Sequence, residues 1–482
     1  VVAANLAVNP RRTLLLALIA IAAGAWLYSV ERPRMEAELH ADELISFDVE
    51  AVAHISMDYP DGTTIILERD EAADWSISAP LTVDADRITV ERLIKAIRDT
   101  RVERRIAVSE AEDLSVYGLK DNGSQVRIKM RLDDGDQLDD IVVGDTTPVG
   151  YQAFVRIEDS GEIVVTPLIF HTGVKKSVFD LREKRLFDFK PADVIAMTLE
   201  TAEAGKMELQ RAGDQWQLLE PVEGRADARV VSNLLEALST TRATAFYGQD
   251  HADSATTGLD EPSVSLSLRV GLDGLAGFKL GSAPADQPAG LYLSRLGDGQ
   301  LAAVDRATKV TFARPLGELR DKGLFDCLPG EITSLSVERD DERGFELTRT
   351  SAADDWTMST EHGQRLLKEM RIDRAVGDLA ELAGKSIVAE DSNNSTLGLY
   401  GLRPPSLRVA MARADGRSCG AALAGSVGED DDKRYYLSSE AGNMVMAVPQ
   451  YLYSRVDLVA DDFLSAPQAE ETPASKETPA AE

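Results

Sequence analysis

Two stretches decide the fold: Trp75–Ile97, WSISAPLTVDADRITVERLIKAI, and Trp216–Leu238, WQLLEPVEGRADARVVSNLLEAL. Each opens on a short strand-like segment, meets a proline five places after its tryptophan, and then runs into a helical pattern. In the second, Val230, Val231, Leu234, Leu235 and Leu238 recur at helical spacing, so one face must pack on something apolar. In the first, Asp84 or Asp86 is placed to cap the free amides of a helix from about Asp86 to Arg98.

A third tryptophan, Trp356, follows at the same interval: Trp75, Trp216 and Trp356 are 141 and 140 residues apart. Other landmarks keep the same order. A Gly-Leu pair stands at Gly118-Leu119, Gly258-Leu259 and Gly401-Leu402, and a further glycine at Gly144, Gly281 and Gly425. Each unit is read as closing on LREKRLFDF, LRDKGLFDC or the weaker LVADDFLS, whose phenylalanines Phe187, Phe325 and Phe463 are 138 residues apart. A period this long describes a tandem of domains, not a solenoid of short units. The third copy is worn: it lacks the proline, and EHGQRLLKEM is inserted before its helix, where Ile372, Val376, Leu379 and Leu382 form the apolar face.

Within copy one, Val52–Asp58 and Thr63–Arg69 flank the turn Tyr59-Pro-Asp-Gly62, and Trp75–Ala79 is a third strand. Gln125–Leu132, Asp140–Gly144, Gln152–Ile157 and Glu162–Thr166 follow as strands, and a helical stretch from about Leu168 to Arg185 ends the unit. The expected fold is α+β: an N-terminal transmembrane helix, then three mostly antiparallel-sheet domains with two helices each. The domains are 52–190, 191–328 and the degenerate 329–465, after a linker at 31–51. The nine landmark residues Trp75, Trp216, Trp356, Gly118, Gly258, Gly401, Phe187, Phe325 and Phe463 are read as structural anchors. Large aromatics bury the most surface per residue.

Topology rests on Thr13–Val30, TLLLALIAIAAGAWLYSV, an uncharged run close to the ~20 residues that cross a bilayer as a helix. Arg11 and Arg12 precede it and Trp26 and Tyr28 sit near its far end, which favours a single-pass anchor with the bulk of the chain outside the cytoplasm. Ala23-Gly24-Ala25 also permits a cleaved signal peptide. The tail 466–482, APQAEETPASKETPAAE, has no large apolar side chain and is expected to be disordered.

The net charge of −30 excludes a phosphate backbone as an ordinary partner and serves solubility. Cys327 and Cys419 rule out a disulfide-rich scaffold; two inert thiols are expected, one disulfide being the alternative. No catalytic, cofactor-binding or metal-binding set emerges. His40, His54, His171, His251 and His362 are scattered, and no phosphate loop or nucleophile elbow is present. The acidic runs Asp133–Asp140 and Glu429–Asp432 lack the order of a calcium loop and are read as solvated turns.

The pattern resembles the domain of unknown function 4340 family in its N-terminal span, its W-x4-P followed by a D-x-R helix start, and its L-F-D-like unit ends. The matching residues are Trp75/Pro80/Asp86, Trp216/Pro221/Asp227, Leu186-Phe187-Asp188 and Leu324-Phe325-Asp326. The resemblance implies no catalytic residue. By association, it implies an accessory subunit of an ABC-type, gliding-motility-like transport complex in a bacterial inner membrane, with the repeats in the periplasm or outside the cell. A solute- or polymer-binding module is the alternative, and an envelope enzyme the remote one.

Overall fold

The computed structural model describes residues 42–465 apart from 112, 121–124, 159, 249–253, 341, 360–366, 391–392 and 441–443, together with Gly24, Trp26 and Leu27. Most of the Thr13–Val30 run, the linker up to residue 41 and the tail 466–482 lie outside the described residues. Among the described residues no helix is long and apolar enough to cross a membrane.

Copy one contributes β1 (Val52–Asp58), β2 (Thr64–Arg69), β3 (Trp75–Ala79), β4 (Val83–Asp84), β5 (Arg104–Ala107), β6 (Val126–Leu132), β7 (Ile141–Thr146), β8 (Gln152–Ile157) and β9 (Glu162–Pro167). Helix α1 (Arg87–Arg98) separates β4 from β5, and α2 (Leu168–Val174) and α3 (Val178–Leu181) follow β9. The sheet order is β4-β3-β2-β1-β6-β7-β8-β9-β5. A meander therefore builds each half, and the strand after α1 crosses over to close the far edge, where β5 pairs antiparallel with β9.

Copy two repeats this order strand for strand. It has β10 (Val194–Thr201), β11 (Gly205–Ala212), β12 (Gln215–Glu220), β13 (Gly224–Arg225), α4 (Ala228–Ser239), β14 (Ala245–Tyr247), α5 (Ser254–Thr257), β15 (Val264–Val270), β16 (Gly274–Leu280), β17 (Gly290–Arg295), β18 (Leu301–Asp305), α6 (Ala307–Phe312) and α7 (Leu316–Leu319). Its order is β13-β12-β11-β10-β15-β16-β17-β18-β14.

Copy three has β19 (Ile332–Arg339), β20 (Glu342–Thr348), β21 (Thr357–Ser359), α8 (Glu369–Ala380), β22 (Ser386–Ala389), α9 (Asn394–Leu399), β23 (Leu407–Arg413), β24 (Ser418–Val427), β25 (Arg434–Ser439), β26 (Val445–Val448) and α10 (Gln450–Val456). The order β21-β20-β19-β23-β24-β25-β26-β22 is the same with one strand fewer: no counterpart of β4 occurs among the described residues. The fold is thus α+β in tandem, as the spacing predicts.

The helices lie where the apolar periodicity requires. Val90, Leu93, Ile94 and Ile97 of α1 are buried, and they join the inward residues of β1, Val52, Ile55 and Met57, in one core. A smaller core forms from Leu119, Val142 and Ile163 in copy one, and from Leu402, Leu423, Tyr436 and Val445 in copy three. The Gly-Leu landmark thus seats its leucine in that lesser core in these two copies.

Several elements differ from the reading: the two-residue strand β4 is additional, and among the described residues the copies hold three, four and three helices where two each are expected. The stretch Leu168–Arg185 is two short helices, because Ser177 forms a capping box with Asp180 and starts a new one. The edge strand β5 was not foreseen, since it is only four residues long and shows a charged face. By internal packing the chain divides into two units. One holds the chain to Leu186 with Arg242–Gly248 and Ala302–Val304; the other holds the rest.

Candidate functional site

All three tryptophans are buried, with 5%, 4% and 3% exposure for Trp75, Trp216 and Trp356. Each faces an arginine at the end of the preceding strand. Arg69 pairs across the ladder with Trp75 and Arg211 with Trp216. The Arg349 guanidinium lies 4.4 Å from the Trp356 ring centre, donates to the Ile332 carbonyl at 3.0 Å and contacts Asp373 at 3.3 Å. The Trp356 indole N–H also donates to Asp373, at 3.0 Å. This arginine went unread because the turn between it and the tryptophan varies in length from copy to copy.

The two glycine landmarks prove to be one contact. Gly118, Gly258 and Gly401 all adopt left-handed backbone, with φ of 64°, 67° and 68°. A Cβ on Gly144 would collide with the Tyr117 carbonyl, one on Gly281 with that of Thr257, and one on Gly425 with that of Gly401.

The phenylalanines divide differently. Val102, Ala243 and Gly384, each just after the long helix of a copy, donate backbone hydrogen bonds to Asp42, Lys184 and Lys322. So Leu44, Leu186-Phe187 and Leu324-Phe325 open copies one, two and three, and the segment expected to close a unit begins the next one. Phe187 accordingly stacks at 6.3 Å on Phe278 of copy two, and Phe325 belongs to the core of copy three. Phe463 holds another place. Its carbonyl accepts from Lys368 N at the helix start, as Leu181 accepts from Asp86 N and Leu319 from Asp227 N. It is the counterpart of Leu181 and Leu319, and it packs on Phe345 at 5.7 Å.

In the second unit this arrangement splices copy two to copy three. Arg225 pairs with Asp321 and Asp326, both at 2.9 Å, and Arg320, only 11% exposed, meets Glu390 at 3.0 Å. The Asp326 amide donates to the Cys419 carbonyl at 2.7 Å, which brings Cys327 to a Cα separation of 5.4 Å from Cys419. The two cysteines are joined as a disulfide, which replaces the expected pair of thiols. A groove of about 590 Å³ runs along the splice, lined by Glu223, Arg225, Asp321, Phe325, Gly420 and Met444 among others.

The first unit has a larger groove, about 1010 Å³, over Trp75, with Arg69, Arg87, Lys95 and Arg98 facing Asp48, Glu50 and Asp133. Cations and carboxylates both line its walls, which suits a chain segment carrying both signs better than a small apolar molecule.

Of the histidines, His54 lies on β1, with its Nδ1 3.7 Å from Glu68. His171 lies on α2; burial, then the neighbouring Lys175 ammonium, pushes its imidazole below the usual range. His40, His251 and His362 fall outside the described residues. Both acidic runs connect strands: Asp140 pairs with Arg127 at 3.4 Å, and Asp430–Asp432 form a single tight turn. Among the described residues no group of three His, Cys, Asp or Glu is placed to hold a metal ion.

No curated protein matches the chain. The family described as Domain of unknown function (DUF4340) matches at residues 75–262 and 252–405, from the first landmark tryptophan to just past the last Gly-Leu pair. Its two matches together span well over half of the sequence, and the chain belongs to the DUF4340 family.

Proposed function

We propose that the protein is a membrane-anchored, extracytoplasmic interaction or scaffold protein, an accessory subunit of an ABC-type, gliding-motility-like transport complex in a bacterial inner membrane. In this reading Thr13–Val30 is the single span and the repeats work in the periplasm or outside the cell.

The observation that supports it is the splice. Only four residues separate Leu319, which closes copy two, from Leu324, which opens copy three. Independent domains are normally joined by exposed linkers across which few contacts pass. Here an ion-pair cluster and a strand-like bridge, Gly323 with Ala383, occupy that place instead. A close-knit junction of this kind suits holding partners at fixed spacing. The test is purification from detergent: recovery with transporter subunits is expected, and a chain that always runs alone counts against the reading.

The groove over Trp75 favours a second reading, an extracytoplasmic solute- or polymer-binding module. It predicts that a bound ligand raises the melting temperature by mass action.

A further inference from the structure

Four large apolar side chains of the first unit stand clear of any core: Val116 at 74% exposure, Val149 at 84%, Tyr151 at 86% and Ile169 at 80%. The backbone gathers them at one end of the sheet. The Tyr151 carbonyl accepts from Leu168 N at 2.8 Å, and Ile169 is the next residue. Gly118, two places after Val116, packs against Asp145 at the start of the Val149–Tyr151 loop. That loop is held in shape: Thr147 Oγ1 donates to the Val149 carbonyl at 2.9 Å, and Tyr151 keeps a φ of 52°. A left-handed tyrosine is uncommon and costly, and the hydrogen bonds of Thr147 to the Val149 and Gln152 carbonyls help to hold the loop that presents it.

The chain reaches the first copy at this same end. Val102 N donates to the Asp42 carbonyl at 2.6 Å, and its neighbour Glu103 accepts from the Gln152 side chain, next to Tyr151. Residues 31–41 alone separate Asp42 from Val30, a tether of at most about 40 Å.

The other copies serve as internal controls. The loop after the strand glycine reads DTTPVGY at 145–151 in copy one, SAPADQPA at 282–289 in copy two and SVGEDDDK at 426–433 in copy three. The framework is shared, yet the apolar loop belongs to the copy that the N-terminal run precedes, and the acidic one lies farthest along the chain.

We infer that this end of the first copy rests on the bilayer crossed by Thr13–Val30, with Val149, Tyr151 and Ile169 in its headgroup region. The inference depends on the membrane-anchor reading above. Tyrosine and aliphatic side chains favour that interface. A few side chains bind it weakly alone, but a short tether supplies a high effective concentration. The seated end would fix the orientation of the first copy relative to the membrane.

The experiment reconstitutes the full chain in phosphatidylcholine vesicles whose acyl chains are brominated near the headgroup. Tyr151→Trp is compared with Val427→Trp, at the end of β24 where the acidic loop of copy three begins. The added tryptophan at 151 is expected to lose most of its emission, and the one at 427 to keep it. Equal emission at both positions overturns the inference, whether that end then meets a protein, a second copy or water. The anchor is read separately from the quenching removed by Trp26→Phe. Quenching at Trp26 without quenching at 151 defeats the seated end alone; no quenching at Trp26 defeats the anchor and the inference with it.

Discussion

Gly144 leaves no room for a side chain beneath the carbonyl of Tyr117, since a Cβ there would overlap that oxygen and crowd Leu119 at 2.9 Å. Gly281 under Thr257 and Gly425 under Gly401 repeat the relationship, so the contact belongs to the framework. Gly144→Ala is expected to cost about 1–3 kcal/mol through overpacking. Gly330→Ala, where nothing lies within 4 Å, should be neutral. Amide hydrogen exchange across residues 114–120 and 141–146 checks this, with faster exchange expected in the first variant alone.

The Cys327–Cys419 disulfide closes a loop across a sequence separation of 92. Loop-closure entropy makes that worth about 4–5 kcal/mol. Cys327→Ser with Cys419→Ser should therefore lower the urea midpoint of copy three and leave copy one unchanged. Reduction of the native chain should give the same shift, and intact mass before and after alkylation reports the state of the bond.

Arg349 is 7% exposed and ties Trp356, Ile332 and Asp373 together. Arg349→Ala removes the cation over the ring and takes this donor from the carbonyl of buried Ile332, while half-exposed Asp373 keeps the Trp356 N–H and meets water, at a cost of about 1–2 kcal/mol. Arg349→Lys should recover only part, because an ammonium cannot reach ring, carbonyl and carboxylate at once. Intrinsic tryptophan fluorescence follows both variants.

His171 gives a pH dependence of definite sign. Burial and Lys175 hold its folded-state pKa below the ordinary 6.5, so the unfolded chain binds the proton more readily. Its contribution to stability is full above the unfolded value and is lost as pH falls toward the folded one. Between about pH 7.5 and about pH 5.5 the chain should weaken, and His171→Gln should remove part of that slope. Urea titrations of the two proteins at both pH values make the comparison.

What was legible in the sequence follows from how each role is carried. The tryptophans and glycines have one residue type per role and lie within rigid elements, so their spacing survives. The arginine opposite each tryptophan has the same constancy but sits across a turn of variable length, which hides it. Phe463 misled in the opposite way. Its interval from Phe325 equals that from Phe187 to Phe325, yet the backbone gives it the part of Leu181 and Leu319. The disulfide was hidden because Phe47 and Phe189 stand where Cys327 does, three residues after Leu44, Leu186 and Leu324, so no repeat pointed to it.

The splice at Arg225 offers the sharpest test of how copies two and three are joined. Its guanidinium separates the carboxylates of Asp321 and Asp326, and all three groups are partly exposed. Exposed pairs contribute little to global stability, so Arg225→Ala should lower it by only about 1 kcal/mol. The local effect should be larger. Two neighbouring carboxylates are left facing each other without a cation, which opposes the bridge from Gly323 to Ala383. Hydrogen exchange at Gly384, whose amide donates to Lys322, should accelerate while the β15–β16 ladder is unchanged. Salt should mask the difference between variant and native chain, since screening weakens the repulsion. If Gly384 exchanges at the native rate in low salt, the ion pairs do not hold the splice, and its stiffness must come from the disulfide and the apolar packing of Leu324 and Phe325.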